Sequence, residues 1–228
     1  MKKAVCLISG GMDSYVAAAE ASKKGYSIHA LTVNYGQKNN RELSSARKIA
    51  LCLKAEKHAI LDLDLSWTAS ALTNSSIDIP NGFSASDIPP TYVPARNTIF
   101  ISLAMAMAET VNADSIYIGV NAVDFSGYPD CRPEYIKRFQ ALIDVATKKT
   151  SGGGIIKLQA PLINMSKLEI IKEGLKLEVD FSLTWSCYRS GKMPCGRCPS
   201  CLLRAKGFRQ AGVKDPLIVL MKKEKNCT

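Results

Sequence analysis

Two groups of residues in this 228-residue chain have types and spacing suited to chemistry. The first is Ser9-Gly10-Gly11-Met12-Asp13-Ser14. Adjacent glycines let a backbone turn tightly and approach a ligand without Cβ interference. Free amides at a helix start, with the helix dipole behind them, would then hold an anion such as phosphate. An ordinary strand-turn-helix corner is the alternative reading, and Gly-Gly alone would favour it. The second group is Cys187-x7-Cys195-x2-Cys198-x2-Cys201. Four thiolates match the ligand count of a closed structural zinc site. Gly191, Pro194, Gly196 and Pro199 supply turns, and Arg189, Lys192 and Arg197 can offset the charge of a dianionic centre. With no position left for an activated water, the zinc would staple the segment rather than do chemistry. An iron-sulfur cluster is the competing occupant of four thiolates.

The surrounding pattern must position both groups. Residues 3–8 form an almost wholly apolar run that reads as a buried strand. The Ala-rich stretch from Tyr15 reads as a helix start. Strands are expected at 27–34, 57–63, 115–120 and 155–158, and helices at 42–53, 98–111 and 133–147. Ser166 is expected to cap a helix running to about Lys176. Such alternation implies right-handed crossovers and an α/β fold, doubly wound around a mainly parallel sheet. Ligands in these sheets bind beyond the carboxyl ends of the strands, where the Ser9–Ser14 loop and Asn34-Tyr35-Gly36-Gln37 would both lie. Residues 73–94 lose periodicity and contain four prolines, which suits a lid or mobile segment. The expected division is a nucleotide-binding α/β domain over 1–180, with a small four-cysteine zinc-binding segment over 181–228 packed on it.

Composition narrows the class. Hydrophobic content of 46% and charged content of 22% suit a soluble globular chain. The net charge of +10 suits a polyanionic ligand, nucleic acid or an acidic membrane, but the positive charge is dispersed. No apolar run reaches the length of a membrane span, and the short apolar run after Lys2-Lys3 is too brief for a signal peptide. A cytoplasmic location is expected, so the eight cysteines call for an explanation other than disulfides.

No stretch has Gly-x4-Gly-Lys-Ser/Thr, since Ser190-Gly191-Lys192 continues into Met193, and Gly-x-Gly-x-x-Gly is also absent. Ser-Gly-Gly-x-Asp-Ser instead resembles the pyrophosphate loop of N-type ATP pyrophosphatases. Together with Tyr35-Gly36-Gln37, Val93-Pro94-Ala95-Arg96-Asn97, Gly119-Val120-Asn121-Ala122-Val123-Asp124, Ser126-Gly127-Tyr128-Pro129-Asp130-Cys131-Arg132, Met165-Ser166-Lys167 and the cysteine run, the chain resembles the 7-cyano-7-deazaguanine synthase family from about residue 3 to 216. In one departure, Asn39 stands where that family commonly has histidine, and an amide cannot take a proton.

The resemblance implies a ligase acting on 7-carboxy-7-deazaguanine, ammonia and two ATP with Mg2+, in queuosine biosynthesis. Adenylation turns the carboxylate into an electrophile, ammonia displaces AMP, and a second activation takes the amide to the nitrile. It also implies one structural zinc, a homodimer, no membrane and no obligatory nucleic acid. Ser9, Gly10, Gly11, Met12, Asp13 and Ser14 would hold ATP, with Asp13 placing Mg2+ and Lys167 meeting the leaving pyrophosphate. As a helix-start lysine, Lys167 has solvation as its alternative. Arg96, Asp124, Asp130 and Arg132 would bind the heterocycle and its carboxylate, or else form structural loop ion pairs. Two rivals remain: a tRNA-thiolating relative, with Cys131 the one isolated loop thiol to carry sulfur, and a non-catalytic zinc-ribbon nucleic-acid-binding protein.

Overall fold

A computed structural model describes residues 1–83, 88–124 and 127–225, the side chain of Lys225 excepted. Ser126, Cys227 and residues 84–87 of the long loop lie outside the described residues.

Five parallel strands form one sheet in the order β3-β2-β1-β4-β5, with β1 Lys3–Leu7, β2 Ser27–Asn34, β3 Lys57–Asp62, β4 Ser115–Tyr117 and β5 Lys157–Gln159. Central β1 pairs through Val5 with His29 on one side and Ile116 on the other. Being buried on both faces, β1 has no polar side chain after Lys3. Ala4, Cys6 and Ile8 face a layer containing α1 (Met12–Lys23), α2 (Arg41–Cys52) and α6 (Lys167–Lys176). Val5 and Leu7 face the opposite layer, with α3 (Arg96–Thr110) and α4 (Pro133–Ala146). Strand order reverses between β1 and β4, so a crevice opens beyond their carboxyl ends.

The expected elements differ mainly at their ends. β4 stops at Tyr117 rather than 120. At Gly119 the chain passes beneath the start of α1, where a Cβ would come 2.5 Å from the Ser14 amide nitrogen. The β5 strand is displaced to Lys157–Gln159, and a short helical turn α5 (Lys148–Ser151) precedes the glycine run at 152–154. Ser166 does cap α6: its hydroxyl accepts from the Glu169 amide and the Glu169 carboxylate accepts from the Ser166 amide.

The rest of the chain closes over the crevice. The described parts of 73–94 are tied down rather than free. Ala71 N–H donates to Pro90 O, Lys38 Nζ donates to Ile77 O at 2.6 Å, and Gly82 N–H donates to Arg197 O at 2.9 Å. After α6, residues 181–198 lead through the cysteines into α7 (Pro199–Gln210) and α8 (Pro216–Lys225). Ala71, Ile79, Trp185 and Leu217 pack around Cys187, Cys198 and Cys201 as a separate apolar cluster.

Candidate active site

Gly10 and Gly11 turn the chain from β1 into α1. Gly10 has φ +89°, and a Cβ there would overlap the carbonyl oxygen of Glu42 at 2.1 Å. This position therefore requires glycine on both conformational and contact grounds. The loop is preset by its own hydroxyls. Ser14 Oγ accepts from the Ser9 amide at 3.2 Å and donates to Gly11 O at 3.0 Å, and Ser9 Oγ lies 3.1 Å from Ser14 Oγ. Gly11 is the N-cap of α1 without a side-chain cap, so the first-turn amides remain available to an anion. Met12 serves the core with its side chain, at 4% exposure.

Lys167 opens α6 directly across from this loop. Its Nζ lies 2.7 Å from both oxygens of Asp13 and 3.4 Å from Asp124 Oδ2. The residue is 7% exposed, so this is a buried charge rather than a solvated one. One lysine between two carboxylates forms a unit with a net negative charge. Burial pushes the Asp124 carboxyl up; Lys167 opposes that rise and Asp13 adds to it. Asn121 fixes the arrangement by accepting from the Asp124 amide at 2.7 Å and donating to Met165 O.

The loop opens into a cavity whose walls include Tyr35, Glu42, Arg96, Phe100 and Tyr188. Arg96, in the first turn of α3, lies over the rings of Tyr35 and Phe100 at 5.6 and 5.9 Å. It also donates to Tyr35 OH at 3.4 Å. Its guanidinium is thus positioned by two aromatic side chains. Burial pushes the Glu42 carboxyl up to about 8, with Arg96 pulling the other way.

The other candidate residues go elsewhere. Asp124 belongs with Lys167 and Asp13, not with Arg96. Asp130 is buried and accepts from the Asn97 amide at 3.0 Å, which anchors the start of α3. Arg132 is exposed at the N-cap of α4 and is not part of the cavity wall. Cys131 is not an accessible loop thiol: it is 5% exposed and accepts from Asn97 Nδ2 at 3.3 Å. Burial pushes it up to about 11, so it stays protonated near neutral pH and is a poor sulfur carrier. His29 lies in the core and half-buried His58 binds Thr32 Oγ1, both outside the cavity wall.

The sequence reading missed Glu42 and Trp185, and singled out Asn39 without finding its role. Glu42 lines the cavity. Trp185 anchors the cysteine segment to the loop through its amide, which donates to Gly10 O at 2.9 Å, and Arg41 lies 5.0 Å over its ring. Buried Asn39 donates to Cys187 O at 2.8 Å and Arg189 O at 2.7 Å, and accepts from the Arg41 amide at 2.8 Å. All three hydrogen bonds serve position, so Asn39 works as a brace between α2 and the cysteines. Only an Asn after a loop and before a helix hinted at this.

The sulfur atoms of Cys187, Cys195, Cys198 and Cys201 lie within 4.8 Å of one another. Four sulfurs at about 2.3 Å from one tetrahedral ion would sit slightly closer than this. Backbone amides of Cys195 and Cys198 donate to Cys187 Sγ and Cys195 Sγ, both at 3.3 Å. Such donors stabilise thiolate charge, so the donor set fits a metal ion. Arg189, expected to offset that charge, instead donates to Ile79 O and to Asn81 Oδ1 at 3.0 Å, tying the long loop to the cysteines.

Comparison with known proteins agrees with this geometry. The family model described as "Queuosine biosynthesis protein QueC" matches residues 3–212. A 7-cyano-7-deazaguanine synthase of Coxiella burnetii is 52% identical over 219 residues, covering 95% of this chain and 97% of its own length. The Stenotrophomonas maltophilia protein of the same name is 50% identical over 220 residues, covering 96% and 99%. That of Frankia casuarinae is 49% identical over 217 residues, covering 93% and 92%. With the family model covering residues 3–212 and near-full-length identity of this order, the chain belongs to the QueC family of queuosine biosynthesis proteins.

Proposed function

We propose that this chain is an ATP-dependent ligase that converts 7-carboxy-7-deazaguanine and ammonia into 7-cyano-7-deazaguanine. The observation that carries the reading is the juxtaposition of the Ser9–Ser14 loop with Lys167 in the wall of a cavity that Arg96 also lines. A carboxylate is a poor electrophile until its oxygen becomes a leaving group, which is what adenylation supplies. Amides and hydroxyls of the loop hold the β and γ phosphates, and Arg96 takes the substrate carboxylate between the aromatic faces. Lys167 moves from Asp13 toward the departing pyrophosphate, and Asp124 keeps it oriented. Asp130 acts indirectly, by fixing the α3 start that carries Arg96. Arg132 receives no binding role.

Asp13, once released by Lys167, would hold Mg2+, which would supply charge neutralisation at the phosphates when bound. A single structural zinc on the four cysteines holds residues 181–228 against the 1–180 nucleotide domain. The assembly is a homodimer that works in the cytoplasm without nucleic acid or membrane. No helix among the described residues is long and apolar enough to cross a membrane.

The test is product analysis by mass spectrometry after incubation with 7-carboxy-7-deazaguanine, ammonium, Mg2+ and ATP, with no RNA or DNA added. The nitrile, with AMP and pyrophosphate, is the expected outcome. Amide alone would restrict the chain to one activation. No substrate-dependent AMP would overturn the reading.

A further inference from the structure

Two carboxyl groups line the cavity, Asp13 and Glu42. Asp13 is held through both oxygens by Lys167. Glu42 stands in the first turn of α2, whose backbone packs against Gly10 of the loop. Among the described residues it has no hydrogen-bond or ion-pair partner, and Arg96 is the charged side chain whose field acts on it. Tyr35 and Tyr188 line the same chamber. The tyrosines and the thiol on that wall are all pushed above their ordinary values, Tyr128 among them. Burial pushes Tyr35 up to about 12, Cys131 up to about 11, and Tyr188 well above its ordinary value.

The proposed reaction must dispose of nitrogen-bound protons in both rounds. Ammonium gives up one proton to expose its lone pair. Its nitrogen then bonds to the acyl carbon as the carbon-oxygen bond to AMP breaks, AMP leaving with the electron pair. The nitrogen sheds a second proton to become the neutral amide. In the second round the O-adenylated amide expels AMP and loses its remaining nitrogen protons to become the nitrile.

We propose that Glu42 is the residue that receives these protons, holding ammonium beside the activated carbon and passing each proton to water at the cavity mouth. This rests on the functional reading above. If Arg96 holds the substrate carboxylate, the reacting carbon lies in the cavity that Glu42 also lines, and the backbone of α2 at Glu42 packs against Gly10 of the loop. Burial raises its affinity for a proton into the range where a base is effective near neutral pH.

Glu42→Gln and Glu42→Asp separate the two half-reactions. Adenylation is followed as pyrophosphate-ATP exchange dependent on 7-carboxy-7-deazaguanine without ammonium. The nitrogen step is followed as amide formation in a single turnover after ammonium is added. In E42Q the nitrogen step should fall by about 10²–10³-fold, far more than exchange, with the deazaguanine KM little changed. E42D should recover part of the rate, and residual E42Q turnover should climb with free ammonia as pH rises. Retained exchange also shows that the variant is folded. A raised deazaguanine KM with an intact nitrogen step would overturn the proposal and make Glu42 a reader of the heterocycle. An unchanged nitrogen step would overturn it too. Absence of exchange in the wild-type chain would overturn the functional reading itself, and the role of Glu42 with it.

Discussion

Glu42 is held in a setting that suits a base better than it suits stability. Its carboxyl titrates at about 8 in the folded chain against an ordinary 4.5, so the folded state binds the extra proton. The resulting stability is fully present below about pH 4.5 and is lost as pH rises through 8. Allowing for water in the cavity, the loss is on the order of 2 kcal/mol across that window. Urea denaturation of the ligand-free chain at pH 6 and pH 8.5 should therefore show falling stability. Glu42→Gln should flatten that fall and be more stable than wild type at the higher pH. An equal slope in both proteins would mean that the carboxyl is solvated. A single sequence gives no sign of this, because glutamate is common in the first turn of any helix. That Ser9, Asp13 and Ser14 share one loop was legible from the motif's spacing, whereas the contact of Lys167 with Asp13 spans 154 residues and was not. The acidic residues Asp124 and Asp130 look alike in sequence, and only their neighbours separate them: one faces Lys167, the other the Asn97 amide.

At the scale of elements, the C-terminal segment depends on one buried arginine in α7. Arg204, at 4% exposure, pairs with Asp215 at 2.7 and 2.8 Å. It also donates to Thr184 Oγ1 at 2.7 Å, Ser186 Oγ at 3.2 Å and Phe181 O at 3.1 Å. It thus ties α7 to the strand of chain carrying Trp185 and to the turn before α8. Arg204→Met should cost about 3–5 kcal/mol by urea denaturation, because it strips Asp215 of its paired charge and removes one donor from each of three further acceptors. Lysine should recover little of that, since it cannot make the bidentate fork. A loss below about 1 kcal/mol would mean that the segment is held by its apolar cluster alone. The first three strands and most helices were readable because apolar periodicity marks whatever packs on a sheet. The ends of β4 and β5, and the way 73–94 is fastened, were not readable. Those features depend on the close approach at Gly119 and on single bonds from Lys38, Arg189 and Arg197 across long sequence separations.

At the scale of the whole molecule, the four-cysteine cluster and the cavity share their supports. None of the four clustered cysteines lines the cavity, yet Trp185, Ser186, Tyr188, Ser200 and Leu203 from the same stretch do. Asn39 and the Trp185 amide connect that stretch to the start of α2 and to Gly10. The two large core layers on the sheet, by contrast, contain no metal-site cysteine. Removing the metal should therefore leave the sheet folded while loosening one wall of the cavity. Dialysis against a strong chelator, or Cys198→Ser, is expected to preserve far-ultraviolet circular dichroism and to red-shift the emission of Trp185, which is 3% exposed in the intact chain. ATP affinity by calorimetry should fall by roughly 10–100-fold, the range seen when the supports of a site are lost rather than its contacts. Asn39→Ala should reproduce the weaker ATP binding with its metal content intact, because it cuts a backbone link to Cys187 and removes none of the four sulfurs. If the apo protein bound ATP normally, the cysteine segment would be a separate staple with no hold on the active site. If it lost all helical signal, the sheet itself would need the metal to fold.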